Sequence, residues 1–184
     1  MKSVAFLLVF LTAIVVRAEE REPISIILDT DIMGDVDDVG AVAVLHALAD
    51  RGEAKILAMG VCVKNPWSPP CLDALNTYFG RPDTPLGVVK GPAHNRASKY
   101  AQAVAEEFPH ALKSAEDAPD AALLYRQVLA KQPDHSVVMV SVGQCTNVRN
   151  LLKTGPDQHS DLDRRELARR KVRIWVCMGG KVPE

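Results

Sequence analysis

The stretch "ISIILDTDIMGDVDDVGAVAVLHALAD", Ile24 to Asp50, decides how the chain is read. "ISIILD" is a short β-branched apolar run, the pattern of a buried strand. Five carboxylates then fall within ten residues: Asp29, Asp31, Asp35, Asp37 and Asp38. From "DDVGAVAVLHALAD" onward apolar residues recur at helical spacing, and Gly52 suits the helix C-terminus. The order is therefore strand, acidic loop, helix.

That order repeats outward from the opening stretch. Residues 54–63, 85–90, 136–143 and 172–180 read as further strands. Residues 69–80, about 97–107 and about 118–131 read as helices, as do "TNVRNLLKTG", taken to end at Gly155, and "RELARRK". Strands alternating with helices predict an α/β fold: an open, mostly parallel sheet with helices on both faces. Near-continuous apolar strands agree, because parallel strands are covered on both sides. Ligands of such folds sit outside the carboxyl ends of the strands, where the aspartates fall.

The chain has 184 residues, 47% hydrophobic and 24% charged, with a net charge of −1. That suits a single domain with a real core and gives no global attraction for nucleic acid or an anionic membrane. Lys2, the apolar run Val4–Val16 and Arg17-Ala18 form a signal-peptide pattern over residues 1–18. The expectation is export, with no stable membrane span after cleavage; an uncleaved anchor is the other reading. The folded domain is expected over residues 24–184. Cys62, Cys71, Cys145 and Cys177 form no CxxC, so they give no support for zinc. Buried free thiols are expected, and spacing selects no disulfide.

Crowded carboxylates repel, and burial worsens the repulsion. They spread into water, share protons or hold a hard cation. Asp31 and Asp38 can face one point if the loop turns at Gly34, and oxygen-only ligands favour Ca²⁺ or Mg²⁺. The blander reading is an acidic helix start, with Asp35 as N-cap and Asp37 and Asp38 in the first turn. An EF-hand fails, because its fifth and twelfth positions, counted from Asp29, hold Met33 and Gly40.

"DTDIMGDVDD" after a first strand resembles the N-terminal signature of the inosine–uridine-preferring nucleoside hydrolases, in the form with a longer loop between DxD and DD. "SVGQCTNVRNLL" is similar to that family's VG-x-x-TN segment, and "MGG" at 178–180 to its segment after a following strand. The resemblance implies a Rossmann-like, nucleoside hydrolase-like fold and Ca²⁺-dependent cleavage of the N-glycosidic bond of ribonucleosides. Carried over, Asp31 and Asp38 are Ca²⁺ ligands and the Val142 carbonyl is a third. Asp31 is also the general base on water, Asp37 binds a ribose hydroxyl, and Asn65 is a ribose contact after the second strand. Asp29 would orient Asp31. The implied partner is a small riboside, with a homo-oligomer as a further option.

Two departures stand out. Met33 occupies a position where related sequences have a small residue. The family's asparagine-rich segment, late Asp ligand and late His have no counterpart through Glu184, so the domain is expected to be incomplete at its C-terminus and its activity impaired. Two other functions stay open. A haloacid-dehalogenase-type phosphatase also places DxD after a first strand, but Met33 departs from that pattern. A non-catalytic ribose- or cation-binding module is the other. His94 and Lys90 read as loop residues, Trp67 as stacking or packing, and Thr146 and Asn147 as helix caps.

Overall fold

The computed structural model describes residues 22–179. The signal-peptide reading of residues 1–18, and Gly180 of the MGG segment, lie outside the described residues. Among the described residues no helix is long and apolar enough to cross a membrane.

The five expected strands form. They are β1 (Ile24–Thr30), β2 (Ala54–Val61), β3 (Leu86–Val88), β4 (Val137–Ser141) and β5 (Val172–Cys177). The helices are α1 (Asp37–Asp50), α2 (Ser68–Tyr78), α3 (Ala101–Glu107), α4 (Ala121–Ala130), α5 (Thr146–Leu151) and α6 (Arg164–Lys171). The sheet runs β3-β2-β1-β4-β5, and every pair is parallel. Chain order moves outward from β1 to β3, then crosses back to β4 on the other side of β1. The crevice between the ends of β1 and β4 is thus the switch point at which open α/β sheets bind ligands.

Side-chain alternation along β1 divides the core. Leu28 joins Val42 and Leu45 of α1, Leu72 of α2 and Ala101 of α3. Ile27 faces the other way, toward Tyr125 and Leu129 of α4, Val148 and Leu151 of α5 and Leu167 of α6. A strand with helices on both sides must be apolar at consecutive positions, which explains the unbroken run in "ISIIL".

Three local expectations are corrected. The N-cap of α1 is Val36, without a side-chain cap, so Asp35 does not cap the helix. The α5 helix stops at Leu151 rather than at Gly155. Asn147 does not cap α5: it is fully buried and its amide points under β1. Gly52 behaves as expected, with φ of 70° just beyond α1. Met33 is also fully buried in the first core cluster. It plugs the acidic loop onto the core, which a small residue could not do.

Candidate functional site

Asp29, the sixth residue of β1, is 1% exposed. Its Oδ1 accepts from the Tyr125 hydroxyl at 2.5 Å and from Asn147 Nδ2 at 2.7 Å. Asn147 Nδ2 also donates to the Val61 carbonyl at 3.1 Å, tying α5 to the ends of β1 and β2. A Cβ at Gly60 would collide with the Tyr125 hydroxyl, so glycine there opens the path from α4 to Asp29. Asp29 Oδ2 has no hydrogen-bond partner. Burial pushes the Asp29 carboxyl up to about 7; the Tyr125 and Asn147 bonds oppose the shift and nearby Asp31 adds to it.

Asp31 lies just past β1 and is half-buried. Its Oδ2 accepts from Gln144 Nε2 at 3.1 Å. The β4 end closes around it. Val142 N–H donates to the Asp29 carbonyl at 2.9 Å. Gly143 follows, and a Cβ there would fall 2.6 Å from Asp31 Oδ1 and 2.7 Å from its backbone nitrogen. Only glycine lets the β4 loop approach this closely. Burial raises the Asp31 carboxyl above its ordinary range, the Gln144 bond opposes this, and Asp35 and Arg96 pull in opposite directions.

Asp38 sits in the first turn of α1 at 3% exposure and accepts from the Thr30 hydroxyl. Burial lifts its carboxyl to about 6 against that bond, with Asp31, Asp37 and Asp35 adding like charge. Carboxylate oxygens of Asp35, Asp37 and Asp38 lie within 4.8 Å of one another. Asp35 and Asp37 are exposed. The sequence pairs Asp31 with Asp38. The structure groups Asp38 with Asp35 and Asp37, and joins Asp31 to them through mutual charge.

The loop after β2 faces this cluster. Asn65 is buried; its Oδ1 accepts from Trp67 N and its Nδ2 donates to the Arg96 carbonyl, both at 2.9 Å. It therefore clasps the loop at residues 94–99, helped by Lys64 N–H on the His94 carbonyl at 2.8 Å. The Arg96 guanidinium lies against Gly34, at the turn between the two aspartate pairs. Trp67 packs on the first core cluster. Lys90 Nζ donates to the Ala115 carbonyl at 3.2 Å, and the His94 side chain is exposed.

The sequence reading does not single out Tyr125, Gln144 or Arg96, and it gives Asn147 only as a helix cap. Asn147 has a signal, the TN pair after VG, but capping explains that pair equally well. Tyr125 has none, because it sits on α4, 96 residues from Asp29.

No protein-family model and no curated protein matches the sequence. Solved structures do match. The type III effector protein XopQ complexed with adenosine diphosphate ribose aligns at TM-score 0.64 and 20% identity, covering 88% of this chain and 46% of that one. The effector protein XOO4466 aligns at 0.64 and 21%, covering 88% and 45%. A plant nucleoside hydrolase, the PpNRh1 enzyme, aligns at 0.56 and 20%, covering 86% and 48%. This chain spans a little under half the length of each, and what it shares with them is a fold of the nucleoside hydrolase kind.

Proposed function

We propose that this chain carries the site of a Ca²⁺-dependent N-ribohydrolase, an enzyme that splits the bond between a ribose and its base with Asp31 as general base. One observation carries the reading. Asp31 and Asp38, at the switch point of the sheet, are both desolvated and both held above the ordinary carboxylate range beside further aspartates. Such a cluster is costly alone and is relieved by a cation. The donors at hand are carboxylates, carbonyls and an amide, a set that suits a hard ion.

Asp31, Asp38 and the Val142 carbonyl are the residues assigned to hold Ca²⁺. When bound, the ion supplies charge that ligates a sugar diol and acidifies a water. The remaining chemistry belongs to the chain. Gln144 fixes one Asp31 oxygen, leaving the other to take the proton from the attacking water. Asp37, exposed at the α1 start, accepts from a ribose hydroxyl. Asn65 keeps one amide hydrogen free of its loop contacts, and that hydrogen is the one assigned to ribose. Carboxylates beneath the anomeric carbon stabilise the positive charge that develops as the base departs. Export through residues 1–18 belongs to the same proposal.

The substrate class is a riboside. Inosine and uridine are the first to try, and the adenosine diphosphate ribose bound by XopQ is a larger alternative. The test is ribose release with and without Ca²⁺, for wild type and Asp31→Ala. Activity that ignores Ca²⁺, or survives Asp31→Ala, sinks the mechanism. Ca²⁺ or riboside binding without turnover points to the binding module. Mg²⁺-dependent phosphate release from a simple ester points to the phosphatase.

A further inference from the structure

The cysteines divide into two pairs. Cys62 and Cys71 are fully buried, and burial pushes both thiols up, which keeps them protonated. Cys145 is half-buried and Cys177 exposed, contrary to the expectation of four buried thiols. Their closeness follows from the topology. β4 and β5 are parallel neighbours, with Ser141 opposite Cys177 and Met178 N–H on the Ser141 carbonyl at 2.8 Å. The chain leaves β4 at Ser141, turns through Gly143 and enters α5, with Cys145 as its N-cap residue. That turn carries Cys145 back over the end of β5. The two sulfurs lie 3.6 Å apart across 32 residues of sequence.

A disulfide bond is about 2.05 Å long, so the sulfurs need to close by about 1.5 Å. Rotation about the two Cα–Cβ bonds is the movement that would close it. No comparable geometry brings in the other thiols: Cys62 Sγ donates to Gln144 Oε1 at 3.9 Å, and Cys71 lies in the first core cluster.

We propose that Cys145 and Cys177 are a modification site: they form an intramolecular disulfide by exchange with a small-molecule disulfide and so fasten the loop from Val142 to Asn147 onto β5. The exposed Cys177 thiolate attacks one sulfur of the small disulfide and expels one thiolate. The Cys145 thiolate then attacks the Cys177 sulfur of the mixed disulfide and expels the second. Two protein thiols are oxidised by two electrons, the small disulfide is reduced to two thiols, and the two protons end on those thiols. The fastened segment matters because Gln144 holds Asp31 and Asn147 holds Asp29.

The test uses the full chain, first reduced, then incubated with oxidised glutathione and digested without reduction. The expected result is a loss of about 2 Da and a single peptide pair joining Cys145 to Cys177, the mass balance of disulfide exchange. Cys62 and Cys71 are then alkylated only after denaturation. Cys145→Ser is expected to trap glutathione on Cys177, with no internal link. A link through Cys62 or Cys71, stable glutathione on both Cys145 and Cys177 in the wild type, or a dimer joined through Cys177 overturns the proposal. None of these outcomes depends on ribohydrolase activity.

Discussion

Among the described residues, β1 lies in the middle of the sheet with a hydrogen-bonded neighbour on each side, while β5 lies at the edge and pairs with β4 alone. From Ile27 onward β1 is buried on both faces. β5 exposes nearly every residue, including Ile174, Trp175 and Val176 at 46–49%. Both are apolar parallel strands ending at the same rim. They differ in what covers them: β1 has α1 on one side and α4 and α5 on the other, whereas β5 packs chiefly against β4 and α6. Carboxylates at the β1 end are therefore desolvated and shifted, while the group at the β5 end, the Cys177 thiol, is open to solvent. Cover, more than strand composition, determines the chemistry available at each end.

The strongest break in the comparison is at the β1 end itself. Asp31→Ala should lower ribose release by about 10²-fold or more, the usual range for a lost general base, while the fold persists. Steady-state rates together with circular dichroism check this. In the core, Ile27→Ala should cost about 2–5 kcal/mol by leaving a cavity between β1 and α4. Urea denaturation measures that loss. Asn147→Ala removes a donor from a buried carboxylate and should cost about 1.5–3 kcal/mol in the same assay at neutral pH.

The raised carboxyls set the pH response. Folded Asp29 and Asp38 hold protons up to about 7 and about 6, whereas unfolded they release them near 3.8. Between those values the folded state binds more protons, so stability falls as pH rises. In chelator, Tm should decline from pH 4 to pH 7, and Ca²⁺ should restore it at pH 7; Asp29→Asn should flatten the slope. A Tm that rises across this window refutes the assignment. The smallest effect belongs to the β5 end: Ile174→Ser should change stability by no more than about 0.5 kcal/mol, being half exposed already.

Much of the fold was legible because its signals are local. Apolar runs, Gly52 beyond α1 and the prolines at the start of α2 mark elements whose causes lie within a few residues. The aspartate cluster was legible for the same reason. Asp35 and Asn147 suit helix caps by residue type but cap neither helix, because only three dimensions show the alternative partner. Asn147 turns inward to Asp29, and Asp35 joins Asp37 and Asp38.

The sequence by itself determined the α/β class, the strand-end position of the carboxylates and the acidic character of that rim, all properties of neighbouring residues and their spacing. Tertiary structure alone decided which groups meet. It placed β4 beside β1, so that Gly143 and Gln144 close on Asp31. It brought Tyr125 through the space left by Gly60 to Asp29, and set Cys145 against Cys177. Such contacts join residues dozens of positions apart, and no periodicity encodes a distance between strands that sheet order makes adjacent.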